Sequence, residues 1–78
     1  MGFDECVDAR GLACPLPLLK ARLALNALSV GAVLKVLATD AGSQRDLRSF
    51  AELAGHLMLH EEVTDEQVFV YFLQKGAA

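Results

Sequence analysis

One stretch of the 78-residue chain holds the residue types that nucleophilic sulfur chemistry needs: Asp8-Ala9-Arg10-Gly11-Leu12-Ala13-Cys14-Pro15-Leu16-Pro17. Two prolines this close break a helix interior. They suit a helix start, where the first four N–H groups have no intrahelical partner. The spacing predicts Cys14 as N-cap, Pro15 at N1 and Pro17 at N3, with Gly11 allowing the loop that leads in. Pro15 also biases Cys14 toward the extended backbone that an N-cap adopts. The thiolate is the nucleophilic form, and a free cysteine of pKa about 8.5 is only about 3% thiolate at neutrality. The positive end of a helix dipole favours that anion. Pro17 removes one donor and leaves the Leu16 N–H as the main capping group, so a modest fall in the Cys14 pKa is expected. Such a thiolate can attack the outer sulfur of a donor persulfide or thiosulfonate, become a persulfide, and pass that sulfur to an acceptor thiolate or activated carbon. Exchange of this kind runs best with a thiol pKa near ambient pH and uses the thiolate directly, without a general base. The bland alternative is a small buried cysteine at a helix start.

The elements that must position this cysteine can be read from the pattern. Phe3 to Asp8 reads as a first strand, and Asp8 to Ala13 as a loop. A helix runs from Pro15 to about Leu28 and stops near Ser29–Gly31. Val33 to Thr39 is a second strand. Asp40-Ala41-Gly42 is a turn, and Ser43-x-x-Asp46 resembles a capping box opening a second helix that ends at Ala54 before Gly55. Leu57 to Val63 and Val68 to Leu73 are strands joined by a polar turn at Thr64–Gln67, which favours a hairpin. The order β-α-β-α-β-β, with early strands parallel, predicts a four-stranded mixed sheet with two helices on one face, an α/β two-layer sandwich. Residues 1–78 form a single domain in this reading, with 75–78 a frayed tail. The last strand is apolar on both sides, which predicts a central position and a partly greasy open sheet face.

The first helix has more leucine than one interface needs. Leu18, Ala21, Leu25 and Leu28 fall at helical spacing to face the sheet. Leu16, Leu19 and Leu23 form a second stripe. It either packs under a loop or the second helix, or it is a docking surface beside Cys14, as exposed apolar patches often are.

Over nearly its full length the chain resembles the TusA/SirA-like sulfur-carrier family. The family's Asp-x-x-Gly-x-x-Cys-Pro-x-Pro pattern is met by Asp8, Gly11, Cys14, Pro15 and Pro17. A second matching stretch is Thr39-Asp40, Ser43 and Asp46-Leu47, followed by Phe50 and Gly55-His56. The resemblance implies the two-layer sandwich and a persulfide relay, carried onto Cys14, with no cofactor beyond that covalent sulfur. It implies a donor protein, a cysteine desulfurase or rhodanese-like protein. It also implies an acceptor protein serving tRNA thiolation, molybdenum-cofactor synthesis or sulfur oxidation. Arg22 matches a basic position that looks partner-facing in relatives. Leu16 and Leu19 are apolar where a well-studied branch has Glu and Met. The runner-up reading is a non-catalytic interaction or regulatory module using the apolar helix and sheet surfaces.

Composition narrows the remaining classes. The net charge is −3 and 54% of residues are apolar. An acidic balance argues against direct nucleic-acid binding, which usually needs a basic face. No apolar run of about 18 residues offers a membrane span. The N-terminal MGFDEC is not a secretory signal, so a cytoplasmic monomer with two reduced thiols is expected. Cys6 reads as a passive strand residue, or as a resolving thiol for Cys14 if the Cα atoms come within about 7 Å. His56 and His60 lack further ligands for a metal site. Asp40-Ala41-Gly42-Ser43 caps a helix better than it would hold an anion, since Asp40 would repel one.

Overall fold

In Val33–Ala38, alternate residues Leu34, Val36 and Ala38 are fully buried while the residues between them are only half-buried. This period-2 pattern is that of a strand with one face on a core. The computed structural model, which describes residues 1–77, places this strand as β2 beside β1 (Glu5–Ala9) in parallel register, with Val7 opposite Val36. The helix α1 (Leu16–Ala27) connects the two. After α2 (Gly42–Ala54), the strands β3 (Leu57–Val63) and β4 (Phe69–Gln74) form an antiparallel hairpin, and β4 inserts between β3 and β2. The sheet order is β1-β2-β4-β3, so the doubly apolar last strand is central, as its composition predicts.

Both helices lie on one face, α1 over β1 and β2, α2 over β3 and β4. Between the layers sit Ala21 and Leu25 of α1, Leu47 and Ala51 of α2, and Leu34, Val36, Tyr71 and Leu73 of the sheet. Aromatics are few and the core is mainly aliphatic. One polar pair crosses it: the Ser43 and Tyr71 hydroxyls meet at 2.8 Å, both buried. No helix of the described residues is long and apolar enough to cross a membrane.

Several expectations change. Strand and helix limits move by one or two residues: β1 starts at Glu5 rather than Phe3, and β4 covers Phe69–Gln74 rather than Val68–Leu73. The capping box does not form. Ala41 is the N-cap residue of α2, and Ser43 turns inward to Tyr71 instead of capping. The Asp40 carboxylate accepts the Gly42 N–H at 3.0 Å and does the capping work. Gly55, at φ 77°, ends the helix as expected.

The tail is also firmer than a frayed end. Lys75 exchanges backbone hydrogen bonds with Gly31 and Ala32 at 2.8 and 2.9 Å. Its ammonium donates to the Leu28 and Asn26 carbonyls at the end of α1, a position where a cation is favoured. The Gly76 N–H donates to His56 Nδ1 at 3.0 Å. Of that predicted tail, Ala78 lies outside the described residues.

The open sheet face is partly apolar, as the strand pattern implies, with Phe3 exposed on it. Phe72 is only 6% exposed although no second layer covers it. The Phe3 ring lies over it at 6.4 Å, the His60 ring at 6.0 Å, and the Lys35 ammonium sits 5.3 and 5.7 Å from the Phe3 and Phe72 rings. Local side chains cover the aromatic, with Lys35 held by cation–π attraction.

Candidate functional site

The β1 strand delivers the chain into the motif loop through a local clamp. Arg10 donates from Nε and Nη2 to the two Asp8 carboxylate oxygens, both at 2.8 Å, and its backbone N–H donates to the same group. This two-pronged bond holds the Asp8 carboxyl down to about 2. Gly11 follows at φ 81°, a left-handed conformation costly for residues with a Cβ. Its N–H donates to Thr39 Oγ1 at 2.8 Å, which ties the loop to the end of β2. The Asp8–Arg10 clamp and the Gly11–Thr39 bond fix this loop at two points.

Cys14 is exposed, and its peptide bond to Pro15 is cis. The N-cap of α1 is Pro15, with Leu16 and the buried Pro17 opening the helix. The cysteine thus stands one residue before its predicted position. The Leu16 N–H donates to the Ala13 carbonyl at 2.9 Å rather than to the sulfur.

What the sulfur meets comes from the second helix. Asp46 Oδ2 lies 2.6 Å from Cys14 Sγ, the thiol donating to the carboxylate. The first turn of α2 also crowds the site: a Cβ on Gly42 would stand 3.4 Å from Cys14 Cβ, 3.7 Å from Sγ and 2.8 Å from Asp40 Oδ2. Glycine at 42 lets this backbone approach the cysteine. The thiol pKa is raised, first by the hydrogen bond to Asp46, then by partial desolvation and the Asp46 and Asp40 charges, with Arg45 opposing. The modest fall expected from the helix dipole is therefore overturned. A dipole end counts as about half a charge, whereas Asp46 offers a full negative charge within hydrogen-bonding distance of the sulfur.

Around this centre the surface is apolar on one side. Leu16, Leu19 and Leu23 are all exposed, Leu23 by 66%, so the second stripe of α1 packs under nothing in the described chain. Arg22 is exposed between them. A groove of about 390 Å³ runs between α1 and α2, lined by Leu18, Ser49, Phe50, Leu53 and Ala54 and reaching Asp46. Leu53 on its rim is 87% exposed. A second, more polar cleft of about 230 Å³ lies between Gly11–Ala13 and Thr39–Asp40.

Other candidates stand apart. Cys6 is a free thiol on β1, on the face opposite the core-packed Val7. His56 is held by Gly76 and packs on Phe50 at 5.2 Å, while His60 pairs with Glu62 at 3.0 Å on the other sheet face. Asp46 is the residue that sequence reasoning misplaced. The pattern Ser43-x-x-Asp46 assigns it to a capping box. The available signal was its position one residue before buried Leu47, on the flank of α2 that turns toward α1.

The family model described as sulfurtransferase TusA matches residues 5–75. The chain belongs to the TusA family. Among its relatives are the putative sulfur carrier protein YrkI of Bacillus subtilis and the sulfur carrier protein TusA of Allochromatium vinosum. The first is 42% identical over 77 residues, covering 97% of this chain and 100% of the relative. The second is 48% identical over 60 residues, covering 77% and 79%. The crystal structure of a SirA-like protein from Desulfitobacterium hafniense superposes with a TM-score of 0.84 at 30% identity, over 94% of this chain and 99% of that one. This TusA-family chain therefore has a sulfur-transfer role and the SirA-like fold, and such a role joins a sulfur donor to a sulfur acceptor.

Proposed function

We propose that this chain is a carrier-type sulfurtransferase that takes sulfane sulfur as a persulfide on Cys14 and relays it to an acceptor protein. The observation that carries this reading is an exposed thiol standing just before α1, whose exposed leucines follow it from Leu16 onward. A relay needs a sulfur that two partners can reach in turn. Cys6, on the other face, is left outside the exchange. Pro15 and Pro17 shape the helix start, Gly11 the loop, and the Asp8–Arg10 clamp holds that loop's approach. Leu16, Leu19, Leu23 and Arg22 are the docking surface for the donor, a cysteine desulfurase or rhodanese-like protein. The acceptor serves tRNA thiolation, molybdenum-cofactor synthesis or sulfur oxidation.

Incubation with a cysteine desulfurase and cysteine, followed by intact mass spectrometry, tests the reading. The wild-type chain gains the mass of one sulfur, and Cys14→Ser gains none. Equal gain by Cys14→Ser refutes it.

A further inference from the structure

The raised thiol pKa poses a chemical problem that the site itself answers. Attack on a donor sulfur requires the Cys14 proton to leave. Free ionisation would leave a thiolate facing the Asp46 carboxylate across 2.6 Å, with Asp40 close by. Both are negative, and like charges at such range oppose ionisation. The charged groups bearing on the sulfur are Asp46 and Arg45 of α2 and Asp40 of the preceding turn. Arg45 Nε lies 3.9 Å from Asp46 Oδ1 and leaves Oδ2 to the sulfur. The Asp46 side chain is only 18% exposed, so water competes poorly for that oxygen.

We propose that Asp46 is a second catalytic residue, which accepts the Cys14 proton through Oδ2 as the sulfur attacks the donor. This rests on Cys14 being the sulfur bearer. In the step, the Cys14 S–H bond breaks and its proton passes to the Asp46 carboxylate. The sulfur's electron pair forms a new S–S bond to the donor's sulfane sulfur. The donor's own bond to that sulfur breaks, and its electron pair leaves on the donor as a thiolate or sulfinate. The proton then passes from Asp46 to the departing thiolate or to water. No external oxidant or reductant is consumed. Because transfer accompanies attack, the thiolate and the carboxylate never face each other as two full charges. The un-ionised resting thiol is thereby kept quiet between encounters, since thiolate character governs susceptibility to oxidation.

The two routes differ in their dependence on pH. Attack by free thiolate speeds up tenfold per pH unit until the thiol pKa is reached. Attack by thiol with carboxylate assistance does not draw on free thiolate, so its rate is flat below the thiol pKa, and it carries a proton in flight. Benzenethiosulfonate is a suitable donor: it is small, needs no docking surface, and does not titrate over the relevant range. Its reaction gives the Cys14 persulfide and benzenesulfinate. The wild-type chain is expected to show a plateau below the thiol pKa and a solvent deuterium isotope effect above unity. Asp46→Asn is expected to follow the thiolate law, running at least about tenfold slower than wild type at about pH 6 and converging with it at high pH, a modest general-base contribution. A wild-type profile that itself rises tenfold per unit, without an isotope effect, overturns the proposal, and this holds whether or not the variant folds. Should Cys14→Ser accept sulfur from the same donor, the carrier reading itself falls. Should sulfur load only on Cys14 while the wild-type profile follows the thiolate law, the role of Asp46 alone falls.

Discussion

The two helices make an instructive pair. In α2 a single stripe, Ser43, Leu47 and Ala51, is buried, and most other positions are polar. In α1 the stripe Ala21 and Leu25 is buried just as fully, yet Leu16, Leu19 and Leu23 stay in solvent. A helix that only has to cover a sheet needs one apolar face. The α2 helix exceeds that minimum only at Leu53 and adds one functional group, Asp46, at the edge toward its neighbour. The α1 helix exceeds it with a leucine row that starts two residues after Cys14. Surplus apolar surface is a row of three leucines on α1 and the single exposed Leu53 on α2, and that difference separates what folding needs from what recognition needs.

This comparison can be broken or sharpened by substitution. The largest effects belong to the buried stripes. Leu25→Ala and Leu47→Ala each remove a fully buried leucine, and each should lower unfolding free energy by about 2–5 kcal/mol in urea titration. A much smaller loss for Leu25→Ala would mean that α1 is not seated as described. Next comes the polar pair beneath α2. Ser43→Ala leaves the Tyr71 hydroxyl without its partner and should cost about 1–3 kcal/mol in the same titration.

The exposed stripe is expected to behave in the opposite way. Leu23→Asp should change stability within about 0.5 kcal/mol, as exposed substitutions do, while slowing sulfur loading from a donor protein. Loading from benzenethiosulfonate should stay unchanged. A large stability loss would show that the stripe is packed after all and would erase the contrast between the helices. The smallest effect lies away from both helices, in the clamp ahead of the loop. The Asp8 carboxyl, held at about 2 by Arg10, should titrate near its ordinary value in Arg10→Ala, followed by carboxyl NMR. The sign is that of a depressed acid. The clamp's contribution is complete above about pH 4 and fades as pH falls toward 2.

Much of this architecture was legible in advance. The Val- and Leu-rich run Val33–Thr39, the double apolarity of Val68–Leu73 and the glycine at 55 led to the right element order and the right central strand, because short apolar runs bounded by turn residues report buried strands. The motif around Cys14 was legible for the same local reason, since paired prolines are tolerated at few places other than a helix start. What escaped prediction depends on contacts between distant segments. Ser43 looked like a cap and became a core partner of Tyr71, 28 positions away. Lys75 and Gly76 looked like a loose end and became anchors for the end of α1 and for His56. The cover over Phe72 on the open sheet face comes from Phe3, Lys35 and His60, far apart in the chain.

The division is sharpest at the sulfur. The sequence alone determined that a cysteine followed by paired prolines would stand at the mouth of a helix, because proline chemistry is local. Only the tertiary structure decided the state of that thiol. The packing of α2 against α1 sets a carboxylate 32 positions away at 2.6 Å from it. A full charge at hydrogen-bonding range outweighs the partial charge of a helix end, and no local pattern can say which distant charge will arrive there.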